Sequence, residues 1–311
     1  MVRGVLPLLI CATMGCGDTQ EATAPQDAAV DAAPAIDAGS VTTDAGRTPP
    51  PIPRYQVAVI QKLSLAREDA PGVSEGIDLD GLTSRAGEMA GCGQRDFTAS
   101  DGRTGIDNQF GLLVPLIEAA GGEAFGAYLQ GSVNDGKFLV MMELDGVDDL
   151  GDDDSLDLVL YRGLGTPSVG NDGLLEAWQT FDVDPEGLYS EIDGVQIVDG
   201  VMEAGPIALL LPFYIFDFVF ELDLVNARIR MEVGPDGVHR GVMAGAVRID
   251  NILAIAEDIE GGDQVKTLLM TLSESYADLL PDENGVCQAL SATIAFETVG
   301  AFFYEDTQRP E

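Results

Sequence analysis

The stretch best equipped for chemistry is residues 77–108, IDLDGLTSRAGEMAGCGQRDFTASDGRTGIDN. Asp78, Asp80, Asp96, Asp101, Asp107 and Asn108 are hard oxygen donors, and the glycines among them permit the tight turns that gather such side chains. Calcium takes roughly 6–8 oxygens at about 2.3–2.6 Å, often from short Asp-Gly loops. These six residues are therefore the candidate metal ligands, and calcium is the expected cofactor. The spacing fails the EF-hand pattern. With Asp78 and Asp80 at the third and fifth loop positions, Gly81 is correctly sixth. Gly76 and Gly87 then take the first and last positions, where carboxylates are required. Plain Asx-turns and caps are the alternative reading.

A second acidic run carries Asp145, Asp148, Asp149, Asp152, Asp153 and Asp154. Packed carboxylates repel unless solvent or a cation screens them, so this run reads as a solvated hairpin tip. The Asp-Leu-Asp-Gly and Gly-Ile-Asp-Asn pieces of the first run resemble the calcium-loop idiom of secreted repeat modules such as thrombospondin type 3, over a few residues only.

Other chemistries lack their residues. His239 is the single histidine, and no G-x-S-x-G accompanies it, so a serine or cysteine triad has no support. Its place after the Pro235-Asp236-Gly237 turn predicts a surface side chain. Histidine-rich zinc sites are excluded by count, and no phosphate-binding G-x-x-x-x-G-K-[ST] is present. A carboxylate-based hydrolase remains a minor alternative; its mark is a pair of buried, pKa-shifted acids converging in a cleft.

The chain holds 16 Lys+Arg against 53 Asp+Glu, a net charge of −37. Such a surface repels nucleic acid, whose binding needs clustered cations, and favours divalent cations and basic partners.

The first residues give an address. Arg3 precedes an apolar run, Val5 to Ala12, too short to span a bilayer. Thr13-Met14-Gly15-Cys16 resembles a bacterial lipobox, with Thr13 where that family usually carries Leu. The resemblance implies a signal peptide over residues 1–15, lipidation of Cys16, and a membrane partner reached through the lipid. It also implies delivery to the outer membrane, because Gly17 rather than Asp follows the cysteine. Residues 16–53 are Ala, Asp, Thr and Pro without an aromatic residue, too polar to order themselves, and read as a tether spanning ~35 Å. The whole plan resembles bacterial cell-envelope lipoproteins.

From residue 54 to 311 the composition becomes that of one folded domain. Cys92 and Cys287 are its only cysteines, and an oxidising compartment predicts a disulfide between them, closing a loop worth roughly 5 kcal/mol. Strands are predicted at 55–65, 138–144, 156–161, 194–204 and 207–211. In 216–224, Phe216, Phe218 and Phe220 share a face with Leu222 and Leu224. Asp107-Asn108 predicts a helix N-cap for about 109–120, and apolar spacing predicts helices over about 250–259 and 263–280. The expected fold class is α+β, a mainly antiparallel β-meander with one early and two late helices.

The expected function is non-enzymatic: an envelope-displayed β-rich binding or structural domain, calcium-supported, with an extracellular or periplasmic protein as partner. The alternative is a carrier of hydrophobic ligands, for which Phe216, Phe218 and Phe220 are the candidate cavity walls.

Overall fold

The computed structural model describes residues 55–115, 125–215, 218–257, 262–308 and 310. The expected signal segment, Cys16, the tether and Phe216 lie outside the described residues. In chain order the strands are β1 (Tyr55–Leu65), β2 (Glu68–Ala70), β3 (Val73–Ser74), β4 (Phe97–Thr98), β5 (Thr104–Ile106), β6 (Val140–Asp145) and β7 (Asp153–Leu164). There follow β8 (Gln179–Val183), β9 (Tyr189–Val198), β10 (Val201–Ile215), β11 (Phe218–Glu232), β12 (Arg240–Arg248), β13 (Leu279–Pro281) and β14 (Cys287–Phe303). The α-helices are α1 (Phe125–Asn134), α2 (Ile249–Glu257) and α3 (Gly262–Tyr276).

Eight strands pair in the order β1-β6-β7-β9-β10-β11-β12-β14, and β14 pairs back to β1. Every pairing is antiparallel, so the sheet closes into a barrel and its edges vanish. This corrects the expected α+β class: the chain is mostly β, and the meander is closed. Alternation tells which residues share a face but not whether the two outermost strands meet. That pairing joins residues over two hundred positions apart and leaves no local mark.

The register explains the packing. Leu63, Phe296, Gly241, Met231, Met202 and Ile197 form one rung across six strands. Leu65, Ile294, Met243, Ile229 and Ala204 form the next. These rungs face the lumen; Ile294, Met243, Ile229 and Met202 are fully buried within one continuous core. An eight-stranded barrel is just wide enough for side chains to fill. The neighbouring rung, Ser64, Ala295, Val242, Arg230, Glu203 and Gln196, faces outward. Apolar residues inside and charges outside reverse the alternation of a membrane-spanning barrel. No helix among the described residues is long and apolar enough to cross a membrane.

Two turns depart from expectation. The predicted strand 194–204 is broken at Asp199-Gly200, both with positive φ (51° and 78°), which makes the two-residue hairpin between β9 and β10. At Asn226 (φ 51°) the β11–β12 register shifts, so a bulge carries β11 onward without a break.

The expected helix at 109–120 is corrected at its start. Gln109–Leu112 is a single 3-10 turn, Val114 and Pro115 are α-helical, residues 116–124 lie outside the described residues, and the next described helix begins at Phe125. Asn108 makes no side-chain cap: its Nδ2 donates to Ala66 O and Ser74 Oγ, a placement that leaves Oδ1, the atom a cap would use, without a partner among the described residues. Helix α1 lies against β1 and β10; Leu129 and Val133 enter the core, and Gln130 Nε2 donates to the carbonyl of Gln61, the bulged residue of β1. Helices α2 and α3 pack on one another, and α2 also meets β11, β12 and β14. Strand β8 bridges β7 (antiparallel) and β14 (parallel), burying Phe181 and Val183.

Residues 66–108 are a side lobe rather than free loop. β2, β3, β4 and β5 make a small sheet. Ile77 packs on Val242 and Ala244 of the outer wall, and Leu79 reaches Ala246, Ala289 and Leu279. Cys92 and Cys287 are disulfide-bonded, with Cα atoms 6.1 Å apart, tying the lobe to the start of β14.

Removing lumen volume should cost far more than removing outer charge. Ile294→Ala is expected to destabilise by about 2–5 kcal/mol, whereas Arg240→Ala, half of an exposed pair, should cost under about 1 kcal/mol. Urea unfolding of the two variants checks the contrast.

Candidate functional site

The side lobe presses its acids against the barrel wall. An isolated bridge pairs Ile77 with Asp107, directly after β5. Asp107 is 2% exposed, and its Oδ2 accepts the Leu79 N–H at 2.7 Å. Asp78 Oδ1 accepts the Gly81 N–H (2.6 Å) and Asp80 Oδ1 the Leu82 N–H (2.8 Å). These two bonds, the second an Asx-turn, fix the loop and leave the second oxygen of each carboxylate for other work. Ligand-capable oxygens of Asp78, Asp80 and Asp107 lie within 4.8 Å of one another.

Burial dominates the electrostatics here. It pushes the Asp107 carboxyl up to about 8, against the Leu79 hydrogen bond and with repulsion from Asp278, Asp80 and Asp96. Asp80 and Asp96 are also raised, burial first and neighbouring carboxylates after it. Asp278, between α3 and β13, is pushed up by burial to about 7, although Ser291 N–H (2.7 Å) and Oγ–H (2.5 Å) both donate to it. Ser291 Oγ in turn accepts the Gln109 N–H at 2.8 Å. A chain of hydrogen bonds thus links β14, the 3-10 turn and the end of α3.

Three of the six predicted ligands come together and three do not. Asp96 uses Oδ2 to accept the Ser84 N–H and only repels the triad from a distance. Asp101 is taken by arginines: Arg103 Nε donates to it at 2.7 Å and Arg230 of β11 lies 3.8 Å away. Burial raises its pKa, but those two charges hold it below the ordinary carboxylate value. Asn108 is fully buried among Ala66 and Ser74, and its Oδ1 has no hydrogen-bond partner among the described residues.

The second acidic loop is not a plain solvated tip. Asp153 is buried, and its carboxylate accepts the backbone N–H groups of Asp148, Asp149 and Ser155. His239 is corrected as well: it is 1% exposed rather than on the surface. Its Nδ1 accepts the Gly234 N–H, its backbone N–H donates to Thr298 Oγ1, and burial pushes its pKa down to about 4.

Sequence reasoning missed Asp278 and Gly105. Asp278 follows an amphipathic helix with no motif around it. Gly105 (φ 76°) matters for what it lacks: a Cβ there would sit 2.5 Å from Leu82 O and 3.1 Å from both Asp78 Oδ2 and Thr83 Oγ1. Asp78, Asp80, Gly81, Arg103, Glu203 and Arg228 line an open cleft of about 410 Å³ beside these oxygens.

The mark set for a hydrolase is met only in part. Asp107 and Asp278 are buried and shifted, yet neither lines this cleft or the second one, between Lys62 and Arg240. Of the proposed ligand walls, Phe218 and Phe220 are β11 residues paired with Ile215 and Phe213, and Phe216 lies outside the described residues. No protein-family model, curated protein or solved structure matches the chain.

The buried groups should leave opposite signatures in stability against pH. His239 has a folded value (about 4) below its ordinary 6.5, so the unfolded chain takes the proton first and stability is lost as pH falls through that window. Asp278 has a folded value (about 7) above its ordinary 3.8, so its contribution is complete below 3.8 and lost as pH rises towards 7. Thermal unfolding across this range should show His239→Gln flattening the acid limb and Asp278→Asn the upper limb. Unchanged limbs in both variants would contradict the assignment.

Proposed function

We propose that this chain is a cell-envelope lipoprotein, anchored through Cys16. On this reading it displays a non-enzymatic β-barrel whose side lobe is clamped by a divalent cation, calcium in the first instance. The barrel is structure; the anchor, the cation and the display role are our reading. The observation that carries it is the convergence of Asp78, Asp80 and Asp107 where the lobe meets the wall.

The donor set fits a hard cation. It consists of carboxylates, with Leu82 O and Thr83 Oγ1 close to the space that Gly105 leaves open. No thiol or imidazole belongs to the group. Asp107 is disfavoured as a lone buried anion, and a bound cation would supply the missing positive charge there. Asp78, Asp80 and Asp107 would hold the ion. Its chemistry is charge compensation, which fixes the lobe to the barrel in the way the disulfide does at Cys92.

The carrier alternative draws no support from the lumen, whose inward rungs are filled by Leu, Ile, Met and Phe side chains. The acidic tether and the acidic barrel surface suit an exported, displayed domain facing basic partners.

Thermal unfolding of the full chain in calcium and in chelator tests the cation. Ligand at a hundred times its dissociation constant should add about 2.7 kcal/mol, a rise of a few degrees in Tm that Asp80→Asn and Asp78→Asn should each abolish. Equal Tm in both buffers sinks the clamp. Native mass spectra of residues 54–311, which lack Cys16, carrying a non-covalent lipid mass would instead favour the carrier. Metabolic labelling with a fatty acid, lost in Cys16→Ser, tests the anchor separately.

A further inference from the structure

Trp178, the chain's single tryptophan, is 49% exposed, and Phe302 and Tyr304 are each 50% exposed. The fold brings them together. Phe302 pairs with Thr180 in the parallel β8–β14 ladder, so Thr180 and Asp182 on β8 share its face; Tyr304, whose N–H donates to Phe181 O, follows it just past β14, and Trp178, just before β8, sets its ring beside that of Phe302. Leu164, 41% exposed and paired with Asp182, joins the same face from β7. Exposed apolar side chains gathered in one patch, rather than scattered, mark interaction surfaces.

The ledge is built rather than left over. Trp178 holds a positive φ of 66°, a conformation that costs a bulky residue energy. Its N–H donates to Gly300 O at 2.6 Å, and its ring lies against Gly300, where a Cβ would stand 2.7 Å from the indole. Its ring centroid is 5.5 Å from that of Phe302. The Gln179 side chain clasps the preceding loop, accepting from Ser168 N–H and donating to Ser168 O and Glu176 O. The indole is thus fixed with half its surface in solvent.

Charge selects the occupant. The two segments that build the ledge, 165–184 and 300–308, contain Asp172, Glu176, Asp182, Asp184, Glu305 and Asp306; the nearest cations in sequence are Arg162 and Arg309, one on either side. Asp184 is engaged by Arg162; Glu176, Asp182, Glu305 and Asp306 are exposed, each within two residues of Trp178, Thr180 or Tyr304 in the chain. Aromatic faces ringed by carboxylates attract cations, and a planar guanidinium can both stack and ion-pair, which an ammonium does less well. Anionic lipid and nucleic acid are repelled. We propose that the Trp178–Phe302–Tyr304 ledge docks an arginine-rich segment of a partner protein. The proposal goes beyond the cation clamp and does not depend on it, since the ledge lies on β8 and β14 and shares no residue with the acidic triad.

The lone indole is its own reporter. The full chain is titrated with a synthetic peptide of alternating arginine and glycine while Trp178 emission is followed, in calcium and in chelator alike. Saturable quenching is expected, weakened about tenfold in Phe302→Ser and in Tyr304→Ser, and weaker for the lysine counterpart. Both residues are half-exposed, and unchanged far-ultraviolet circular dichroism checks that the variants fold. No change in emission overturns the proposal. Equal response to the lysine peptide, or equal binding by both variants, would reduce it to plain charge attraction and overturn it too. So would quenching by a chitin oligosaccharide but not by the arginine peptide, or a concentration-dependent dimer in sedimentation whose contact buries Trp178.

Discussion

Closure of the sheet through β14 is the constraint on which the rest of this protein depends. β14 pairs with β12 on one side and β1 on the other, takes β13 at its start, and carries β8 in parallel at its end. Its inward residues Ile294 and Phe296 complete the lumen, while its outward Ala289, Ser291 and Ala295 form the floor under the side lobe. The first strand cannot be satisfied until the last is in place. Such long-range pairing makes loop closure the entropic hurdle of folding. The Cys92–Cys287 bond spans 195 residues and ties the lobe to this same strand, which shortens the search for the chain that must close the barrel.

The second constraint is what lies on that floor. A lobe of short strands cannot bury much apolar surface, and its contact with the wall rests on Ile77, Leu79 and small partners such as Ala244, Ala246 and Ala289. Polar groups fill the remainder: Asp107 bonded to Leu79, Asp278 bonded to Ser291, Ser291 bonded to Gln109. Low dielectric strengthens these bonds and equally penalises each carboxylate that stays ionised. Asp107 and Asp278 are thus two acids that specify how lobe and wall fit together while resisting deprotonation there.

How much of this was legible follows from what local sequence can encode. Alternation in 216–224 marks which side chains face inward, and Leu222 and Leu224 pair as that alternation requires. The Cys92–Cys287 bond was legible because the folded region holds no other cysteine. Closure was not, because period-two patterning is the same in an open sheet and a barrel. Asn108 misled because a capping residue looks the same whether its amide meets its own helix or, as here, Ala66 and Ser74. Among the acids, Asp78, Asp80 and Asp107 were legible as oxygen donors. The loss of Asp101 was not, since Arg230, over a hundred residues away, decides it. His239 misled through its turn, because Thr298 and Gly234 bury a residue that its neighbours in sequence leave exposed.

The distribution of the few cations ties these points together. Around the cleft between Lys62 and Arg240 these two cations both meet Glu297, while Arg230 meets Glu203 and Asp101, and Arg103 meets Asp101 and Glu75. Arg230 belongs to the barrel and Asp101 to the lobe, so this group bolts the two with the charge the chain can spare. Exposed pairs of this kind hold weakly one at a time and better as a linked set. At the other end of the same seam stand Asp78, Asp80, Asp96, Asp107 and Asp278, with Arg103 and Arg228 present only on the cleft wall beside them. Protons relieve the deepest of these acids, and only at the cost of making the fit depend on pH. On the proposed reading a divalent cation would relieve the same repulsion by displacing those protons, in a chain whose net charge of −37 draws cations to it from solution.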